Sequence, residues 1–293
     1  MRSAMQKEES YKKNILVSPV VKWVGGKRQL LPEIKKYIPS KISTYVEPFL
    51  GGGAVLFELQ PKKAIVNDFN SELINVYQVI KDNPEELIFS LENHKQLNNE
   101  DYYYKIRGLD RTEGFDDLTN VEKASRILYL NKTCYNGLFR VNRSGQFNTP
   151  YGKYKNPNIV NEVTIRAMSK YLNKNSIKLM NGDYKEALKN LRKGAFVYFD
   201  PPYLPISSSS SFTGYTENGF DIDKQIELRD ECKKLAKRGI NFLLSNSYSS
   251  EILDLYSDKS LFEIEVVKAT RNVNSVSEKR GEINEVLITN VKQ

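Results

Sequence analysis

The sequence predicts an α/β fold: a seven-stranded sheet, mostly parallel, with an antiparallel last strand. Three observations carry this expectation. Short apolar runs with the length of buried strands recur along the chain. Helical patterns alternate with them near both ends, as parallel strands joined by crossovers require. The last two runs, 262–269 and 284–290, have no helical pattern between them. Without a crossover the final strand must run antiparallel.

Residues 1–16 are polar and aperiodic, which predicts a loose arm. TYVEPF (44–49) and AIVND (64–68) read as buried strands. Gly51 to Leu59 follows the first as a helix. SELINVYQVIKD follows the second, with Asn70 or Ser71 as its cap. Residues 84–136 look helical through DYYYKIR and VEKASRILYL. FRVNRSGQFNTPYG (139–152) reads as a hairpin, because Asn142-Arg143-Ser144-Gly145 is turn chemistry between extended runs. Strands resume at 176–181, 195–200, 240–246, 262–269 and 284–290, with helices near 184–192, 221–238 and 249–256. Ser207–Ser211 reads as a loop. The expected division is a sheet domain from 17–70 and 161–293, interrupted by an inserted domain at 71–160.

Composition narrows the chemistry. The 293 residues are 40% hydrophobic and 27% charged, which suits a packed core. No apolar run could span a bilayer and no leader opens the chain, so a cytoplasmic protein is expected. Cys134 and Cys232 lie far apart and form no CxxC, which argues against a disulfide framework and a zinc site. His94 is the only histidine. Most Ser/His, Cys/His and His-metal chemistries fall with that, and no metal is expected. The net charge is +8, and seven bases with no acid lie between Lys123 and Ile159. Solubility alone explains a positive total. An acid-free basic stretch with Tyr129, Tyr135, Phe139, Phe147, Tyr151 and Tyr154 interleaved reads better as a polyanion-binding face.

Four segments carry chemistry. Glu47-Pro48-Phe49-Leu50-Gly51-Gly52-Gly53 ends the first strand, where glycines let a backbone approach a ligand. Asp68 ends the next strand, 17 residues after Gly51, placed to accept ribose hydroxyls. The pattern is neither GxGxxG nor a phosphate loop, and alone it could be an ordinary tight turn. Asp200-Pro201-Pro202-Tyr203, directly after AFVYF, says most. An exocyclic adenine amine is a poor nucleophile because its lone pair is delocalised into the ring. The Asp200 carboxylate and the Pro201 carbonyl can accept its two N–H bonds and stabilise developing positive charge. Two prolines fix the carbonyl's direction, and Tyr203 offers a ring to an extruded base. The competing reading is a rigid strand-to-loop turn. Lys22-Trp23-Val24-Gly25-Gly26-Lys27 holds the only tryptophan, either a core anchor or part of a binding segment. Tyr135-Asn136-Gly137-Leu138-Phe139-Arg140 leads into the basic hairpin. Its arginine could pair with guanine in a major groove, and its aromatics could wedge into a base stack. Phe212 to Phe220 is either a lid or an ordinary loop.

In this order the motifs resemble the DNA adenine methylase family, most of all the modification methylases of GATC-cutting restriction systems. The resemblance runs from about Pro19 to Asn290. It rests on KWVGGKRQLLPEI, EPFLGGGA, NDFN, NGLFRVN…GQFNTPYGKYKNP, GDY, VYFDPPY and LSNS. It implies a Rossmann-like methyltransferase sheet with an inserted helical and hairpin DNA-recognition domain. It also implies transfer of a methyl group from S-adenosylmethionine (AdoMet) to adenine N6 in duplex DNA, by base flipping and without a metal. Asp200, Pro201, Pro202 and Tyr203 would be catalytic. Trp23, Lys27, Phe49, Gly51, Gly53, Asp68, Asp183 and Asp200 would line the cofactor site. Lys22 and Arg140 would read guanines, Tyr135 would enter the base stack, and Asn136 would touch phosphate. Arg143 joins this DNA-binding set from the basic hairpin. A restriction endonuclease would be a genetic companion, with no physical partner implied. Cytosine C5 transfer needs a cysteine nucleophile, and neither cysteine sits near the diproline turn. Cytosine N4 transfer, a non-catalytic DNA-binding relative and an RNA substrate remain the alternatives.

Overall fold

In a computed structural model the chain is described over residues 13–204, 220–270 and 282–291. The expected loop at Ser207–Ser211, the candidate lid except Phe220, and residues 1–12 of the arm lie outside these residues. The strands are β1 (Thr44–Glu47), β2 (Lys63–Asp68), β3 (Ser176–Asn181), β4 (Ala195–Phe199), β5 (Asn241–Ser247), β6 (Glu263–Thr270) and β7 (Glu282–Thr289). They form one sheet in the order β3-β2-β1-β4-β5-β7-β6. The pairs among β1 to β5 are parallel, and β7 runs antiparallel to both of its neighbours. This is the mostly parallel sheet with an antiparallel last strand that the sequence predicts.

Alternate side chains of the central strands enter two separate cores, as the period of two in a strand requires. Tyr45, Phe196, Tyr198 and Leu243 pack on one face. Val46, Val197, Phe199 and Leu244 pack on the other. A parallel sheet must be covered on both faces. The first is covered by α1 (Leu31–Lys36), α2 (Ala54–Leu59), α3 (Ser71–Asp82) and the helices α4 (Pro84–Leu97), α5 (Glu100–Gly108), α6 (Asn120–Thr133) and α7 (Glu162–Lys174). The second is covered by α8 (Tyr184–Leu188), α9 (Ile222–Lys237) and α10 (Ser250–Leu255). No helix among the described residues is long and apolar enough to cross a membrane.

The segment between β2 and β3 is built around α6. A reciprocal capping box starts that helix: Glu122 N–H donates to the Thr119 hydroxyl at 3.2 Å, and Thr119 N–H donates to the Glu122 carboxylate at 2.8 Å. Helix α3 packs against β2, β3, α6 and α7, and α4 and α5 close on α6. Leu87, Tyr103, Ile127 and Phe147 from this segment share one continuous core with Tyr45 of the sheet. The sequence reading passes over α7. Its signal was present, since Ile165, Met168 and Leu172 recur at helical spacing and the Asn161 side chain accepts from Thr164 N–H.

Two readings need correction. The hairpin over 139–152 narrows to a single antiparallel bridge, Val141 with Phe147. Its tip is held by the Asn142 side chain, which accepts from Ser144 N–H and Gln146 N–H at 3.0 and 2.9 Å. Arg126 leaves the basic face altogether, because it is 1% exposed. It pairs with Asp110 at 2.7 Å and donates to the carbonyls of Ile106 and Arg107. Asp110 in turn accepts Phe147 N–H at 2.7 Å. The pair is an internal staple between α6 and the hairpin. His94, half-buried, is tied into the same helical layer. It stacks on Tyr129, bonds to the Tyr102 hydroxyl at 2.8 Å, and burial lowers its pKa to about 4.

Asp110 also holds Arg111, so removing Arg126 takes away one of its two cations. Arg126→Met is expected to destabilise the fold by at most about 3–5 kcal/mol, read from denaturant midpoints. Adding Asp110→Asn should recover part of that loss. Equal stabilities for wild type and Arg126→Met would show the pair to be neutral.

Candidate active site

Parallel strands deliver their carboxyl ends to one edge of a sheet, and ligands bind there where the strand order reverses. Here the reversal lies between β1 and β4, because the chain continues from β1 towards β2 on one side and from β4 towards β5 on the other. The segment 47–53 leaves β1 at that edge, Asp68 ends β2, and Asp200-Pro201-Pro202-Tyr203 leaves β4.

Asp200 is the charged centre. Lys27 Nζ approaches its Oδ1 at 2.9 Å, with side chains 7% and 21% exposed respectively. The Ser245 hydroxyl, from β5, donates to the same Oδ1 at 3.1 Å. Among the described residues nothing bonds to Oδ2. Burial raises the Asp200 pKa above its usual 3.8, while the Lys27 ammonium opposes that rise. Lys27 also donates to the Gly25 carbonyl at 2.8 Å and lies 4.6 Å from the centre of the Tyr203 ring. The Tyr203 hydroxyl donates to Glu285 of β7 at 2.7 Å. Tyr203 is thus held at its face by a cation and at its hydroxyl by an anion. The turn itself is braced from α9: Gln225 donates to the Pro202 carbonyl at 3.0 Å and accepts from Asn246 at 2.9 Å. Ser247 donates to the Leu204 carbonyl at 3.2 Å.

The glycine turn fits beneath Trp23. A Cβ on Gly51 would stand 3.1 Å from Trp23 Cδ1, and one on Gly52 would stand 3.3 Å from Trp23 Cβ. Gly53 starts α2 at φ +67°, where a Cβ would be 2.6 Å from the Phe57 ring. Asp68 secures the turn by accepting Gly51 N–H at 2.8 Å and Asn70 N–H at 2.9 Å, one on each oxygen. Burial raises its pKa and these N–H groups counter the rise. Phe49 stacks on Tyr184 at 5.1 Å and meets Phe220 edge-on at 5.6 Å. Asp183 is exposed beside them and caps α8 through Lys185 N–H at 2.8 Å.

The expected DNA-contacting residues lie on a neighbouring surface. Lys22 is exposed and sits one residue from Trp23, which stacks on Phe139 at 4.6 Å. Tyr135 is 53% exposed. Asn136 is in the left-handed region at φ +57°. Arg140 is exposed and held by the Asn148 side chain at 2.7 Å, and Arg143 is exposed at the hairpin tip. Sequence reasoning missed Gln225, Asn131 and Glu285. It quoted the motif containing Ser245 and Asn246 without giving either a role.

A carboxylate paired with a lysine at the switch point of a mostly parallel sheet, beside a glycine turn secured by a second strand-end carboxylate, is the layout of a nucleotide-cofactor enzyme. The comparisons place it more narrowly. Residues 23–273 match the family described as D12 class N6 adenine-specific DNA methyltransferase, and the chain belongs to that family. It is 50% identical over 279 residues to a type II methyltransferase of Lactococcus lactis subsp. cremoris, covering 95% of this chain and 97% of that one. It is 41% identical to a type II methyltransferase of Methanocaldococcus jannaschii, over 94% and 99% of the two chains. It is 33% identical to a DNA adenine methylase of Serratia marcescens, over 91% and 96%.

Membership implies AdoMet as methyl donor, and the residues present fit it. Each Asp68 oxygen takes one backbone N–H, leaving lone pairs for a ribose diol. Lys27 directs two donors at Gly25 and Asp200, leaving a third for a carboxylate. The Phe49, Tyr184 and Phe220 rings suit an adenine plane.

Asp200 accepts best when ionised, since protonation turns one of its oxygens into a donor. Its raised pKa therefore places the acid limb of the kcat/KM profile above pH 3.8. Lys27→Met removes the cation that favours the charged form, so that limb should move to still higher pH. An unmoved limb would separate Lys27 from the ionisation of Asp200.

Proposed function

We propose that this chain methylates adenine N6 within GATC sites of duplex DNA, and that it does so on a flipped base. Its membership in the adenine-N6 family gives the reaction. The observation that supports this use of the site is the one-sided engagement of Asp200. Both of its described partners take Oδ1, and among the described residues no donor meets Oδ2, the oxygen we assign to an amine N–H. The Pro201 carbonyl is the second acceptor, on a turn that two prolines and Gln225 hold rigid.

AdoMet, when bound, supplies an electrophilic methyl group on a sulfonium. The chain's own residues prepare the nucleophile. Asp200 and the Pro201 carbonyl draw the two N–H bonds so that the nitrogen lone pair localises, and they meet the positive charge that develops on it. The Lys27 ammonium favours the ionised form of Asp200. Tyr203 presents its ring to the base. Asp200 sits at the end of a core strand, and a base stacked in a duplex cannot reach it; extrusion costs a few kcal/mol, offset by stacking and edge contacts. Trp23, Phe49, Gly51, Gly53, Asp68 and Asp183 border the cofactor side of the cleft. Segment 71–160 serves as the DNA-recognition domain. Within it Tyr135 enters the stack, Asn136 meets phosphate, and Arg140 with Lys22 reads guanine edges through paired hydrogen bonds. Arg143 adds phosphate attraction at the hairpin tip. GATC rests on the resemblance to DNA adenine methylases. A link to a restriction endonuclease rests on likeness to type II methyltransferases. Cytoplasmic residence follows from DNA as substrate.

Three measurements test this reading. Plasmid DNA methylated by the protein and mapped by sequencing should carry N6-methyladenine at GATC. Modification at another motif would replace the site assignment, and none at all would leave a DNA-binding relative. Asp200→Ala should lower kcat by at least about 10²–10³-fold with DNA retention intact. DNA affinity should fall steeply with salt, with a log–log slope of about −0.9 per neutralised phosphate. A flat response would remove the basic surface from the DNA face.

A further inference from the structure

The segment from Lys22 to Lys27 joins the surface that faces DNA to the centre that carries chemistry. Lys27 is paired with Asp200. At the other end of the segment, Lys22 is fastened by a residue that no motif reading singled out. Asn131, in the last turn of α6, is 2% exposed. Its Oδ1 accepts Lys22 N–H at 2.8 Å, and its Nδ2 donates to the Lys22 carbonyl at 2.9 Å. The same Nδ2 donates to the Gly137 carbonyl at 3.1 Å. One primary amide thereby takes both polar groups of a single residue and fixes its rotation as well as its position. It also ties that residue to the turn carrying Tyr135 and Asn136.

The packing agrees. Gly137 is at φ +64°, and a Cβ there would lie 2.8 Å from Lys22 Cδ and 3.3 Å from Lys22 Cβ. The Lys22 side chain lies directly against this glycine. Trp23, the next residue, stacks on Phe139 and covers Gly51 and Gly52. A displacement of Lys22 would therefore pass along a short, packed path towards the cofactor turn and Lys27.

We propose that Asn131 is a positioning residue for site selection. It holds Lys22 in register with the Tyr135–Gly137 turn, so that a correct base edge at Lys22 and the insertion at Tyr135 are read as one event. This rests on the assignment of Lys22 as a base reader. Asn131 touches neither substrate nor cofactor and acts through Lys22. Leucine at this position keeps the branched heavy-atom shape, with more bulk, and removes all three hydrogen bonds.

The test uses the full chain with AdoMet and two duplexes. One contains the mapped site; the other has a single outer base pair of that site changed. The readout is the ratio of kcat/KM between them, which does not depend on the fraction of protein that is active. Lys22→Ala and Asn131→Leu should each lower the ratio about tenfold, the scale of one base contact. The double variant should fall no further than the larger single effect, as coupled residues do. Gly137→Ala, whose Cβ would stand 2.8 Å from Lys22 Cδ and 3.3 Å from the Asn131 carbonyl oxygen, disturbs the same junction from the side of the turn; it provides a second route should Asn131→Leu fold poorly, and it should lower the ratio in the same way. If Lys22→Ala lowers the ratio but Asn131→Leu and Gly137→Ala do not, the base-reading assignment stands and the role of Asn131 falls. If the double variant multiplies the single losses, the two act independently and the proposal is overturned. If Lys22→Ala leaves the ratio unchanged, the base-reading assignment itself fails and the proposal with it.

Discussion

A buried ion pair between Lys27 and Asp200 organises this molecule. Burial pushes the carboxyl at the end of β4 towards its protonated form, which carries a donor where an amine needs an acceptor, and the Lys27 ammonium opposes that push. No residue of the parallel strands supplies the countercharge. It comes from the segment ahead of the sheet, which must cross the switch point to deliver one ammonium group. Gly25, at φ +77°, turns its carbonyl onto the same ammonium. Such pairs add little net stability, because desolvation offsets attraction. The gain is positional: the pair fixes Trp23 over the glycine turn and Lys27 against the ring of Tyr203.

That arrangement changes the meaning of the glycines. A glycine-rich turn after a first strand invites the reading that a ligand approaches the backbone there. In this fold the nearest occupants of the missing Cβ positions are protein side chains, Trp23 at Gly51 and Gly52 and Phe57 at Gly53. The turn is small first so that the Lys22–Lys27 segment can lie across it. Asp68 then holds the turn by two backbone N–H groups and still presents lone pairs to a diol.

The strands were legible because a parallel strand covered on both faces is written as an unbroken apolar run, as AFVYF is. The antiparallel last strand followed from connection length alone. The motif residues were legible because their chemistry is unusual at such density, as in Asp200-Pro201-Pro202-Tyr203. Their supports were not. Ser245, Gln225, Glu285 and Asn131 are ordinary residues on ordinary elements, and they reach the site only through strand order and helix packing. Arg126 shows the opposite error. A count of bases along the chain assigned it to a charged face, but a helix turns every 3.6 residues, and that position points inward to Asp110. Linear charge density reports a surface only where the periodicity keeps every residue outside.

Recognition and chemistry face different physical demands, and the fold meets them with different materials. Activating an amine requires acceptors that do not reorganise during reaction, and these sit on core strands, a diproline turn and a braced helix. Reading a duplex requires reach, and the residues proposed for it, the exposed Tyr135, Arg140 and Arg143, occupy a turn and a hairpin whose ladder is one bridge long. A hairpin so short would be loose by itself. Its order comes from the Arg126–Asp110 staple below it and the Trp23–Phe139 stack beside it. The second of these belongs to the same segment that pairs with Asp200, the proposed catalytic carboxylate. On that proposal the recognition surface takes part of its rigidity from the active site, and a sequence that weakened one would loosen the other.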